Sequence, residues 1–271
     1  MANRIVCIGL LLALLVALLS TPLHAPLPHT GNVLLLTAHP DDECMFFAPT
    51  LRALLRAETP VYSLCLSVGN ADGLGTIRRD ELARSLDVLD VPPHRRFVID
   101  HPDLQDNFTA RWDADTIASV LQPYVQSNNI ETILTFDAGG ISGHPNHCSL
   151  PDGVAHLPAP PKLYTLVTRP TYVKYLGVLA PLLAKFSLYQ DRVQLYPAVS
   201  QPFHQLLRLA TRTSRPKLVV VSGIYEYLTA LQAMRAHVSQ LVWFRWLYVS
   251  FSRYMWVNEL VEISLSPVNL E

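Results

Sequence analysis

The stretch Val33-Leu34-Leu35-Leu36-Thr37-Ala38-His39-Pro40-Asp41-Asp42-Glu43-Cys44-Met45-Phe46-Phe47 sets an unbroken apolar run against a histidine and three adjacent carboxylates. A run that is apolar throughout, rather than at alternate positions, is the pattern of a strand buried on both faces, as in a parallel sheet. Beyond the acids, Phe46, Phe47, Leu51, Leu54 and Leu55 recur at helical spacing and predict a helix over Glu43–Glu58. The acidic cluster thus falls at the carboxyl end of a buried strand, where open α/β sheets bind their ligands.

The same alternation continues outward. Val61–Ser67, Phe97–Asp100, Thr132–Phe136 and Lys162–Val167 read as further buried strands. Helical patterns over Thr76–Leu89 and Ala114–Ser127 separate them, and glycine-rich turns follow at Gly69–Gly75 and Asp137–Gly143. The expected fold is α/β, a Rossmann-like, mostly parallel sheet flanked by helices. After Thr168 prolines break the pattern. Val193–Tyr225 reads as an irregular insertion with one strand at Leu218–Val221, and Tyr227–Trp256 becomes helical again.

The 271 residues carry a formal net charge of −1, and only 16% are charged, against about 25% in an ordinary soluble domain. That balance excludes a nucleic-acid binder, which needs a basic excess. Mean hydropathy is positive, and Ile5–Leu19 is wholly apolar. A span needs about 20 residues, so this run is short; continued through Leu23 it predicts a membrane anchor over 1–23, with a cleaved signal ending near Ala25 as the alternative. A linker over 24–31, a catalytic domain over 32–260 and a tail over 261–271 complete the expected organisation. Near the other end, Leu241–Tyr254 interleaves aromatic residues with Arg245 and Arg253, as an interfacial helix on a membrane does; packing against the sheet is the competing reading. Cys7 lies in the apolar run, and the three remaining cysteines do not make a disulfide framework; they fit a reducing compartment.

Chemistry gathers at two strand ends. His39, Asp41, Asp42 and Glu43 follow the first strand, and His144-Pro145-Asn146-His147 follows Thr132–Phe136 through a flexible turn. Two imidazoles and a carboxylate are the ligand set of an open catalytic zinc, and an adjacent carboxylate can take a proton from water. Adjacent residues at a strand end point in different directions, so Asp41 and Asp42 can divide these tasks. His101-Pro102-Asp103 repeats the letters without a second acid and reads as a loop.

These stretches, with CLSVGNADGLGTIRRDEL, LDVLDV, TFDAGGISGHPNH and HVSQLVWFRWLYVSFSRYM, resemble the LmbE/PIG-L family of zinc de-N-acetylases. They are closest to its membrane-bound eukaryotic branch. The resemblance implies zinc, or another divalent metal, on His39, Asp42 and His147. It makes Asp41 the general base, His144 a protonated partner of the oxyanion or leaving amine, and Arg78 a substrate-binding residue with Glu81 as its partner. Glu43 is left a supporting role at the helix start, and His237 either packs or touches the site. The implied reaction is deacetylation of a glycolipid, N-acetylglucosaminyl-phosphatidylinositol, in glycosylphosphatidylinositol anchor synthesis. The implied location is the endoplasmic reticulum membrane with the catalytic domain in the cytosol, where the sequon Asn107-Phe108-Thr109 is silent. Pro151 and Gly153 are expected to disturb the helix after His147. Two alternatives follow: hydrolysis of a soluble N-acetyl sugar conjugate, or a non-catalytic membrane scaffold whose metal site has decayed.

Overall fold

Val33–Leu36 lies in an interior strand of the sheet. The computed structural model of the chain describes residues 2–24, 31–192 and 218–265. Its strands are β1 (Leu23–His24), β2 (Asn32–Thr37), β3 (Val61–Cys65), β4 (Arg96–Val98), β5 (Ile130–Phe136), β6 (Lys162–Leu166), β7 (Leu218–Val221) and β8 (Val257–Ile263). They form one sheet in the order β1-β7-β8-β6-β5-β2-β3-β4. The pairs β2–β3, β3–β4, β2–β5 and β5–β6 are parallel, with Val33 opposite Val61 and Leu34 opposite Ile133. The other pairs are antiparallel, so the expected parallel sheet is the half that carries β2.

The chain steps from β2 outward to β3 and β4, then returns to place β5 on the other side of β2. That reversal opens a crevice at the carboxyl ends of β2 and β5. The helices are α1 (Ala2–Ser20), α2 (Asp42–Met45), α3 (Ala48–Arg56), α4 (Gly75–Val88), α5 (Ala114–Ser127), α6 (Gly140–Gly143), α7 (Pro145–Ala155), α8 (Thr171–Lys174), α9 (Leu179–Arg192), α10 (Ile224–Ala236) and α11 (Trp243–Phe251). Leu35, Leu36, Leu64, Leu66 and Phe136 are inaccessible to solvent beneath them.

Several elements depart from expectation for identifiable reasons. The helix predicted over Glu43–Glu58 is two helices, α2 and α3. Pro49 lacks an N–H and its ring crowds the carbonyl four residues back, at Met45, so the first helix stops there. The freed Met45 carbonyl accepts from the Tyr248 hydroxyl at 3.2 Å, and that of Phe46 from Asn258 Nδ2 at 2.7 Å. Conversely, α7 runs unbroken through Pro151 and Gly153. Pro151 removes one rung, and Gly153 lets α5 approach closely: a Cβ there would stand 2.2 Å from Ile117 Cγ2. Residues 257–263 add strand β8, and α10 begins at Ile224, earlier than expected.

The expected spanning anchor is not supported. α1 forms, but no helix among the described residues is long and apolar enough to cross a membrane. The apolar run Ile5–Leu19 rises only about 22 Å, against a hydrocarbon core of ~30 Å. Residues 25–30 of the linker, 193–217 of the insertion and 266–271 of the tail lie outside the described residues.

Candidate active site

The turn after β2 is built around Asp42. The backbone N–H groups of Ala38 and His39 donate to its Oδ2 at 3.0 and 2.9 Å. Its Oδ1 is then free to face His147, whose Nε2 lies 3.2 Å away. Burial would raise the Asp42 carboxyl, but the His147 and His39 rings and the turn N–H outweigh it and hold the group well below the ordinary carboxylate range.

His147 enters from α7. Its Nδ1 lies 3.2 Å from the Gly140 carbonyl, so that nitrogen carries a hydrogen and Nε2 is the one turned toward Asp42 and His39. The ring stacks on Phe136 at 4.0 Å between centroids, fixing its plane. His39 Nδ1 stands 3.2 Å from His147 Nε2 and 4.0 Å from Asp42 Oδ2. Its Nε2 is 3.0 Å from Asn146 Oδ1 and 3.4 Å from Asp106 Oδ1. Asn146 is itself fixed by the Asn107 N–H on Oδ1 and by its own donation to the Ala110 carbonyl.

These donors fit a divalent metal. Ligand atoms about 2.0–2.1 Å from a tetrahedral ion lie about 3.3–3.4 Å from one another, which is near the 3.2 Å that separates His147 Nε2 from His39 Nδ1 and from Asp42 Oδ1. Each imidazole also has its remote nitrogen oriented by an acceptor, as metal-binding histidines do. Asp106 Oδ1, buried without a hydrogen-bond partner, completes the carboxylate lining behind His39. His39, His144 and His147 form a second candidate set, their ligand atoms all within 4.8 Å of one another.

His144 caps the start of α7, its Nδ1 accepting from the Asn146 N–H at 3.3 Å. Burial, then the neighbouring imidazoles His39 and His147, push its pKa down to about 4. Both influences favour the neutral ring, whereas the family resemblance implies a protonated one. With Nδ1 accepting, the hydrogen is on Nε2, which makes His144 a neutral donor.

Asp41 holds φ at 111°, in the positive region that residues other than glycine rarely adopt. Its Oδ2 accepts from Arg245 Nη2 at 3.0 Å and lies 3.9 Å from Arg78 Nη2. Burial is the largest influence and raises the carboxyl, with Asp42 adding to it; Arg245 and Arg78 pull the other way. A carboxylate raised toward neutrality beside a metal-type donor set is suited to proton transfer.

Arg78 is buried and tied down. Its Nη2 donates to the Pro40 carbonyl at 2.8 Å, and its Nη1 to the Gly69 carbonyl at 3.0 Å and Asp106 Oδ2 at 3.2 Å. Gly69, at φ +66°, passes so near this guanidinium that a Cβ would sit 2.5 Å from it. Glu81 instead accepts from the backbone N–H and hydroxyl of Ser239. A cavity of about 210 Å3 joins His39, Asp41, Asp42, His144, His147 and Arg245. The placement of Arg245, Asp106 and Asn146 in this site is not evident from the sequence. The stretch HVSQLVWFRWLYVSFSRYM, through its family resemblance, is the available signal for Arg245, and the position between His144 and His147 the signal for Asn146.

A histidine–carboxylate donor set at the switch point of a doubly wound sheet, with a buried carboxylate beside it, defines a metal-site α/β enzyme. Residues 34–157 match the family described as PIG-L, GlcNAc-PI de-N-acetylase. The N-acetylglucosaminyl-phosphatidylinositol de-N-acetylase of Bos taurus is 40% identical over 249 residues, covering 89% of this chain and 88% of that protein. The protein of the same name in Saccharomyces cerevisiae is 34% identical, over 83% and 79%. Among solved structures, the N,N'-diacetylchitobiose deacetylase of Pyrococcus horikoshii shares the fold at a TM-score of 0.52 and 14% identity, covering 89% of this chain and 88% of its own. A deacetylase of teicoplanin biosynthesis does so at 0.51 and 14%, over 86% and 99%. The chain belongs to the PIG-L family of de-N-acetylases.

Proposed function

We propose that this chain hydrolyses the N-acetyl amide of N-acetylglucosaminyl-phosphatidylinositol, releasing acetate and glucosaminyl-phosphatidylinositol in an early step of glycosylphosphatidylinositol anchor synthesis. The observation that carries this reading is the His39–Asp42–His147 donor cluster with Asp41 beside it, in a chain so similar to relatives bearing that activity's name.

His39, Asp42 and His147 would hold the ion, and zinc suits their chemistry. When bound, zinc polarises the amide carbonyl and acidifies water. Asp41 accepts the proton of the attacking water and returns it to the sugar nitrogen as the C–N bond breaks. Arg245, in hydrogen-bond contact, keeps that carboxylate charged and aimed until it takes the proton. His144 donates its Nε2 hydrogen to the carbonyl oxygen as negative charge collects there. A neutral donor serves this purpose without protonation of a third imidazole among three. Arg78 acts by bracing the Pro40 turn against the Gly69 loop, and its guanidinium edge lines the same cavity as a substrate contact.

A bilayer-bound substrate accounts for the surface. Side chains around α1 are exposed and apolar at Val6, Leu10, Leu11 and Leu14, and α11 exposes Trp243, Phe244, Trp246 and Phe251. These belong at a membrane interface, and we place the enzyme on the endoplasmic reticulum membrane with its catalytic domain facing the cytosol. The unbroken α7 removes the ground for a decayed scaffold. The test compares acetate release from the acetyl-labelled glycolipid with release from a labelled soluble N-acetylglucosaminyl conjugate. Hydrolysis of the glycolipid is expected to dominate, and equal or greater hydrolysis of the soluble conjugate overturns the substrate assignment.

A further inference from the structure

Beside the catalytic pocket lies a larger cavity of about 570 Å3. Phe46, Ser142 and Arg245 line both spaces, so a ligand whose amide reaches the donor cluster can extend into the second. Its walls are chiefly apolar, formed by Met45, Tyr175, Phe244, Leu247 and Phe251, yet one further cation reaches it: Lys174, at the end of α8.

Lys174 is only 8% exposed. Its Nζ has one long contact, 3.5 Å to the Ile141 carbonyl, and sits 5.5 Å from the centre of the Tyr175 ring. No carboxylate neutralises it among the described residues, and burial alone lowers its pKa. By contrast Arg245, the other cation of the cavity, is paired with Asp41. A buried ammonium without a counter-charge lowers stability, and it is retained at a binding site when a ligand brings the missing anion. Phe244, Leu247 and Phe251 face both the cavity and solvent, each about half exposed, which gives the anion's apolar continuation a way out to the bilayer.

We infer that this cavity binds the phosphatidyl part of a lipid, with Lys174 as counter-charge to the phosphodiester and the α11 side chains against the glycerol and acyl chains. The choice of a lipid phosphodiester rests on the function proposed above. In that arrangement Lys174 fixes how far the sugar reaches toward His39 and His147, and it distinguishes lipid-linked from free acetylated sugars.

The experiment titrates the full chain with dihexanoyl-phosphatidylinositol, dihexanoylglycerol and glycerophosphoinositol, using wild type, Lys174→Met and Lys174→Arg. Wild type is expected to bind the phospholipid better than either of the others. Lys174→Met should weaken phospholipid binding roughly tenfold to a hundredfold, leave diacylglycerol binding unchanged, and match or exceed the wild-type Tm. Lys174→Arg should restore the phospholipid affinity. Equal phospholipid binding by wild type and Lys174→Met overturns the inference, as does equal weakening of both lipids or a lowered Tm with binding intact. Glycerophosphoinositol binding as tightly as the phospholipid overturns the lipid assignment. These titrations read binding and not turnover, so they stand apart from the acetate-release test above: intact lipid discrimination here with no acetate release there would overturn the deacetylase reading alone.

Discussion

His237 Nε2 lies 2.7 Å from Glu43 Oε1, and neither side chain has any solvent exposure. The other Glu43 oxygen accepts the Asp41 N–H at 3.1 Å, so the end of α10 is connected through one carboxylate to the strained backbone of the proposed base. Strain of this kind persists only where its surroundings hold it. The pair is the brace that holds Asp41 at positive φ.

Removal of one partner leaves the other charge buried and uncompensated. His237→Ala is therefore expected to lose about 3–5 kcal/mol of stability, read from urea unfolding. The Glu43→Gln/His237→Asn double variant should lose less than the sum of its singles, because neither partner is left charged alone.

The same pair sets a pH window. His237 is raised above its ordinary 6.5, since Glu43 outweighs burial; its contribution is complete below 6.5 and fades as pH rises through the raised value. Glu43 is lowered from 4.5, since His237 and Ser85 outweigh burial; its contribution is complete above 4.5 and fades as pH falls through the lowered value. The stability difference between wild type and Glu43→Gln/His237→Asn should be greatest between those two ordinary values, and shrink on either side. A difference that does not vary with pH would show that the pair is not ionised.

Arg245 favours the charged form of Asp41. Arg245→Met should therefore raise the base's pKa and shift the acid limb of the kcat/KM profile to higher pH, by about one unit or more for a charge this close. An unmoved limb would assign Arg245 to packing alone.

α7 supplies a purely structural test. Gly153→Ala drives a methyl group into Ile117 and should destabilise the chain by about 1–3 kcal/mol. Pro151→Ala, which restores a helix N–H, should be neutral or stabilising. Denaturant midpoints of the two variants decide this.

How much of this was legible in the sequence follows from where the residues lie. His39–Glu43 follow directly on β2, and His144–His147 follow shortly after β5, so local pattern was enough to place both at one sheet edge. Arg245 and Asp106 reach the site from a late helix and an irregular loop, and nothing local to either sequence announces the contact. Strand β8 escaped because Val257-Asn258-Glu259-Leu260 mixes polar with apolar residues and follows directly on a helical stretch; its burial depends on antiparallel neighbours that come from distant segments. The downward push on the His144 pKa comes from burial and from two other imidazoles packed against it, a relation that spacing along the chain does not display.

In the proposed mechanism His39, Asp42 and His147 hold the metal while Asp41 moves the proton. Its most direct test measures zinc content and acetate release from the labelled glycolipid on the same preparations of wild type, Asp41→Asn and His147→Ala. About one zinc per chain is expected in wild type and Asp41→Asn, with acetate release by wild type alone and loss of both metal and activity in His147→Ala. Release by Asp41→Asn at the wild-type rate, or full zinc in His147→Ala, would contradict it.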